Sequence, residues 1–130
     1  HRQSSAASDV YKRQPNTDDM RDSPSLEIIP KLLENNCLLR VFDPEGMDES
    51  KNYFSEKNKK ITWCSSAYEA ANGSDAVVIL TEWNQFRALN MKKLKDSLRQ
   101  NIIIDLRNIY NPKEMKSNGF KYFSIGRENL

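Results

Sequence analysis

The chain has 130 residues, 38% of them hydrophobic, and its 20 basic and 18 acidic side chains leave a formal net charge of +2. That length suits one domain with a real core, and so even a charge balance argues against a nucleic-acid or membrane-surface partner. No apolar run approaches the ~18 residues of a membrane span, and no hydrophobic segment at the N-terminus marks a secretory signal, so a soluble cytoplasmic domain is expected.

Residues 1–14 carry no sustained period and are rich in Ser, Ala and basic side chains, which is the composition of a disordered or non-native leader. Pro15 to Ser25 is a polar stretch dense in carboxylates that contains one arginine, Arg21. Its Ser23-Pro24 pair is an N-cap followed by proline at the first helical position. From there Leu26, Ile28, Ile29, Leu32 and Leu33 fit one face of a helix ending at Asn35-Asn36, with Pro30 set to kink it. Leu38 to Phe42 reads as a strand, Gly46 to Glu56 as a weak helix, and Ile61 to Cys64 as a short strand. Ser65 caps a short helix through Ala71, stopped by Asn72-Gly73. Ala76 to Leu80 is the most apolar run, as expected of a strand buried on both faces. Thr81 to Phe86 reads as a loop or short turn, and Asn90 caps an amphipathic helix through Leu98. Ile102 to Leu106 is a second central strand, followed directly by Arg107-Asn108. Pro112 to Asn118 is a short helix with Gly119 at its C′ position, and Lys121 to Ile125 is a last strand; residues 128–130 are read as tail.

Helix alternating with strand over short links predicts an α/β fold, a parallel sheet with helices on both faces. Ligands of open parallel sheets bind at the carboxyl ends of the strands. The residues leaving those ends are Asp43-Pro44, Ser65, Thr81-Glu82-Trp83 and Arg107-Asn108. Arg107 is the first candidate, because a guanidinium on a rigid strand end suits bidentate recognition of phosphate or carboxylate. The alternative is a surface arginine paired with Asp105 or another nearby acid. Arg21 is the second candidate, and its alternative is a solvated partner of Asp18 or Asp19. Those two aspartates fit general acid/base work, although capping nearby amides is commoner. Trp83 and Phe86 suit packing better than a base-stacking platform. Glu82 could accept from a ribose or cap a turn.

Several chemistries are not encoded. There is no GxGxxG after a strand, no GxxxxGK[ST], and no nucleophile with an adjacent base. Cys37 and Cys64 show no metal-type spacing, the one histidine is His1, and both cysteines read as reduced thiols, so no metal site is expected. By itself the chain reads as a binding module.

The stretches Pro15 to Ser25 (PNTDDMRDSPS), Phe42 to Met47 (FDPEGM), Thr81 to Arg87 (TEWNQFR) and Asp105 to Pro112 (DLRNIYNP) resemble the C-terminal UDP-sugar-binding domain of the UDP-glucose 6-dehydrogenases, within the UDP-glucose/GDP-mannose dehydrogenase family. The resemblance covers residues 15–127. It implies a Rossmann-like sheet forming the third part of an NAD-dependent enzyme that oxidises UDP-glucose to UDP-glucuronate. NAD would be held mainly by an N-terminal domain outside this chain, and homo-oligomers would form through a central domain that carries the catalytic cysteine. This chain alone would then be inactive, and neither Cys37 nor Cys64 lies in that cysteine's motif. Residue by residue, the resemblance implies substrate binding by Arg107 and cofactor binding by Arg21. Where the family has Phe-Lys before PNTDD, this chain has Arg13-Gln14, so the lysine's role is not carried over. Upstream, the family's first central strand, apolar in sequence, is expected to be missing. Its loss would expose two edges and destabilise the chain. Dehydrogenases of GDP-mannose or UDP-N-acetylmannosamine are the near alternatives. A non-catalytic nucleotide-binding module is a further one, and a receiver-like domain built on Asp43 the weakest.

Overall fold

The computed structural model describes residues 3–6, 25–55, 57–82 and 84–125. Its strands are β1 (Gln3–Ala6), β2 (Leu38–Val41), β3 (Ile61–Trp63), β4 (Ala76–Ile79), β5 (Ile102–Asp105) and β6 (Lys121–Ser124). Its helices are α1 (Ser25–Glu34), α2 (Met47–Phe54), α3 (Ala67–Ala71), α4 (Asn84–Arg87), α5 (Met91–Ser97) and α6 (Pro112–Ser117). The strands form one sheet in the order β3-β2-β1-β4-β5-β6, and every neighbouring pair is parallel. This is the doubly wound order of a Rossmann-like fold, in which the direction of winding reverses between β1 and β4.

The local signals explain most of the elements. Asn90 caps α5 by accepting from the Lys93 amide at 3.1 Å. Asn111 caps α6, accepting from Lys113 and Glu114, with Pro112 at the first turn. Ser66, one residue beyond the expected Ser65, caps α3 by accepting from the Glu69 amide at 3.0 Å. Gly119 follows α6 with φ +90°, the left-handed conformation a C′ glycine supplies without strain. Helix α1 runs through Pro30. The stretch expected to be a loop or turn after β4 contains the one-turn helix α4, held by its buried Phe86.

One expectation is corrected. The first central strand is present: Gln3–Ala6 lie between β2 and β4, with Ser5 opposite both Arg40 and Val77. A ladder is made by main-chain N–H and C=O groups, which Gln-Ser-Ser-Ala carries as fully as an apolar strand does. Hydrophobic periodicity, the signal used to look for this strand, does not register that capacity. The unpaired edges expected on β2 and β4 therefore do not arise.

The register also separates two cores. Ser4 aligns with Leu39 and Ala76, and Ser5 with Arg40 and Val77. Leu39 and Val77 therefore face opposite sides of the sheet. On one side Val77, Ile79, Ile103 and Tyr122 pack with α3, α4, α5 and α6 through Ala70, Phe86, Leu94 and Met115. On the other side Leu39, Val41 and Ile61 pack against Ile29 of α1. Cys64 is buried in the first core and Cys37 lies beside the second; both are free thiols, as expected.

Because β1 is central, proline in it should be far more damaging than at an edge. Ser5→Pro is expected to cost on the order of 3 kcal/mol, read as a lowered urea midpoint. An unchanged midpoint would show that β1 contributes no ladder hydrogen bonds.

Candidate functional site

Four of the strand ends at the carboxyl edge, those of β2, β3, β4 and β5, carry the candidate residues, and each uses its polar residues differently. After β2, Asp43 is buried and its Oδ1 accepts from the Glu45 amide at 3.1 Å, which folds the DPEG turn. After β3, the Glu69 carboxylate accepts from the Ser65 amide and hydroxyl at 3.1 and 2.6 Å. The Ser65 hydroxyl is the main reason the Glu69 carboxyl sits below its usual range. Ser65 and Glu69 are thus committed to starting α3. A shallow cleft of about 320 Å³ lies between these two ends, lined by Phe42, Asp43, Lys51, Trp63 and Cys64 among others. Burial pushes the Cys64 thiol up, against the thiolate form.

The ends of β4 and β5 are built differently. Ile79 is in register with Asp105, and the Leu106 amide extends the pairing by donating to the Ile79 carbonyl at 3.0 Å. Asp105 is fully buried. Its Oδ1 accepts from the Arg107 amide at 3.0 Å. Its Oδ2 accepts from the amides of Ile109 and Tyr110 at 2.8 and 3.1 Å and from the Tyr122 hydroxyl at 2.5 Å. A carboxylate with this many donors can be buried without an ion pair. It curls residues 105–110 around itself, and Asn108 completes the curl at φ +56°, a conformation asparagine tolerates. The Asn108 Nδ2 donates to the Ile125 carbonyl at 3.0 Å, tying the curl to β6.

Arg107 therefore leaves a braced backbone. Its Nη2 donates to Glu82 Oε1 at 2.9 Å, with the arginine side chain 28% and the glutamate 46% exposed. Its Nε is buried and meets no acceptor among the described residues. The expected alternative partner, Asp105, takes the main-chain amide of Arg107 and not its guanidinium. A second link joins the same two loops: the Tyr110 hydroxyl donates to the Phe86 carbonyl. Burial pushes that hydroxyl's pKa well above its usual value. Phe86 is core, edge-on to Phe42 with ring centroids 6.3 Å apart, so it packs and offers no stacking platform.

Arg21, Asp18, Asp19, Arg13, Gln14, Trp83 and His1 lie outside the described residues. Among the sequence candidates, the structure brings Arg107 and Glu82 together. The roles of Asp105, Tyr110 and Tyr122 were not singled out from sequence. Only Asp105 left a signal, as an acid ending the run Ile-Ile-Ile; such an acid is buried only if several donors meet it.

The edge so built places the Arg107–Glu82 pair at the end of a parallel sheet, next to the point where the strand order reverses. A family model described as the UDP-glucose/GDP-mannose dehydrogenase family, UDP binding domain, matches residues 10–112. The chain belongs to this family. It is 42% identical over 113 residues to the UDP-glucose 6-dehydrogenase of Rhizobium meliloti (strain 1021), covering 87% of this chain and 25% of that protein. It is 35% identical to a UDP-glucose 6-dehydrogenase of Bacillus subtilis (strain 168), covering 87% of this chain and 24% of that one. The chain thus spans about a quarter of the length of the curated relatives it matches. Among solved structures, the NDP-N-acetyl-D-galactosaminuronic acid dehydrogenase from Methanosarcina mazei Go1 shares the fold at a TM-score of 0.77 and 23% identity, over 98% of this chain and 25% of that one. The UDP-D-ManNAc dehydrogenase from Pyrococcus horikoshii is similar at a TM-score of 0.70 and 28% identity, over 99% of this chain and 26% of that one. The four sequence motifs therefore pointed to the right family.

Among the described residues no helix is long and apolar enough to cross a membrane, and no group of three acidic, histidine or cysteine side chains could hold a metal ion. The described glycines of positive φ, Gly73 and Gly119, sit in turns entering β4 and β6, at the opposite edge from Arg107.

Asp105→Asn places an amide NH₂ among groups that are themselves donors. It is expected to lower unfolding stability by about 3 kcal/mol or more. Tyr122→Phe, which removes one donor of four, should cost about 1.5 kcal/mol. Urea denaturation of both variants checks the order; a smaller loss for Asp105→Asn than for Tyr122→Phe would contradict the role given to the carboxylate.

Proposed function

We propose that this chain, with β1 inside its sheet, forms the UDP-sugar-binding domain of an NAD-dependent, cytoplasmic UDP-glucose 6-dehydrogenase, which converts UDP-glucose to UDP-glucuronate as a homo-oligomer. In this reading Arg107 holds the nucleotide sugar and Arg21 reaches the cofactor. The hydride chemistry belongs to NAD, bound mainly by a part of the enzyme outside this chain. The domain alone is then inactive and contributes recognition.

The observation that carries the reading is the state of Arg107. A guanidinium has five N–H donors in a fixed fork. Here one meets Glu82 at 2.9 Å, while the buried Nε has no acceptor among the described residues. A buried donor left without a partner costs on the order of 1–3 kcal/mol, and a phosphate oxygen would recover that. The backbone beneath it is fixed by Asp105, so little ordering is needed on binding. The similarity to curated UDP-glucose 6-dehydrogenases supports the UDP-glucose branch.

A second reading, a dehydrogenase of another nucleotide sugar, is favoured by the likeness to the UDP-D-ManNAc dehydrogenase structure. Competition among UDP-glucose, UDP-N-acetylmannosamine and GDP-mannose in the intact enzyme separates the two. UDP-glucose is expected to be the substrate, and oxidation of another nucleotide sugar in its place would favour the second reading. In that enzyme Arg107→Ala should raise KM for the nucleotide sugar roughly ten- to a hundredfold, the loss of a charge-assisted contact. Unchanged KM would remove Arg107 from the site.

A further inference from the structure

We propose that Glu82 is a built-in competitor for Arg107: it occupies the guanidinium in the ligand-free site and gives it up to the nucleotide's diphosphate, setting how tightly and how reversibly the nucleotide is held. The proposal rests on the reading of Arg107 as the nucleotide-sugar anchor.

Three observations lead to it. The ion pair is made through a single contact, Nη2 to Oε1 at 2.9 Å, and the Nε meets no acceptor among the described residues, so the fork is incompletely used there. Glu82 is nearly half exposed, so its carboxylate can turn to water at little cost. The main chain of Arg107 is already placed by the Asp105 carboxylate and by the curl locked through Ile109 and Tyr110, so Glu82 is not needed to put the arginine in position.

Electrostatics then gives the sign. A single-contact pair open to solvent on its glutamate side is weak, so it neither rigidifies Arg107 strongly nor resists displacement. A carboxylate beside a bound diphosphate is a like charge within a few ångströms, and that repulsion persists after displacement unless the side chain swings away. Glu82 therefore weakens nucleotide binding in both steps. A recognition domain benefits from such a weakening when product, which carries the same diphosphate as substrate, must leave. The other two settings of an acid at this position predict the opposite sign: a carboxylate that orients Arg107, or one that accepts from a sugar hydroxyl, would strengthen binding.

The test is calorimetric titration of UDP into the intact dehydrogenase carrying this domain, at low and high salt, for the parent, Glu82→Gln, Arg107→Ala and the double variant. Glu82→Gln is expected to tighten UDP about two- to fivefold at low ionic strength, with the gain shrinking in high salt and vanishing when Arg107 is alanine. Weaker or unchanged binding by Glu82→Gln, with Arg107→Ala still impaired, overturns the competitor role and leaves Arg107 as anchor. The same gain in the Arg107→Ala background also overturns it, since the effect would then be one of general charge. Full UDP affinity in Arg107→Ala removes the anchor itself, and the competitor role with it. Circular dichroism melting of each variant identifies any misfolding directly.

Discussion

The candidate site depends on one buried carboxylate. Asp105 ends β5 inside the first core, and it is tolerated there because three amides and a tyrosine hydroxyl donate to it. Those bonds shape the loop that carries Arg107. They also bring the Tyr110 ring into the core, from where its hydroxyl reaches α4. A single acid thereby joins β5, β6 and the segment after β4. A partly satisfied network of this kind would be worse than an apolar core, so its completeness is what makes the local structure unique.

The sheet supplies the other half of the explanation. Its order places β1 and β4 on either side of the reversal point, where crossovers depart in opposite directions and a crevice opens. Glu82 leaves β4 and Arg107 leaves the next strand, so the pair stands beside that crevice. The central position of β1 shows how little a strand needs in order to be a strand. Between two parallel neighbours that already bury their own faces, main-chain groups suffice for pairing.

The role proposed for Arg107 sets two limits on its surroundings. A guanidinium left wholly without acceptors at a half-buried edge would be costly, and one fully satisfied by protein groups could not bind a ligand. One partner among the described residues, on a partly exposed glutamate, lies between these limits. The arginine is thus braced from below and, among the described residues, incompletely used.

Much of this protein was determined by sequence alone. The α/β alternation, the described helices other than α4, and β2 to β6 were legible because amphipathic and apolar periods, caps such as Asn90, and the glycine after α6 are local signals. The family was legible because its motifs are contiguous, and Arg107 because it directly follows an apolar strand. Tertiary structure alone decided three things. It placed β1, whose Gln-Ser-Ser-Ala has no apolar period and acquires its role from its neighbours. It chose Glu82 over Asp105 as the partner of the guanidinium, because the Asp105 carboxylate is consumed by amides from its own loop. It assembled Tyr122 and Tyr110 around that acid. These are contacts between residues distant in the chain, or between side chain and main chain, and no period or spacing encodes them.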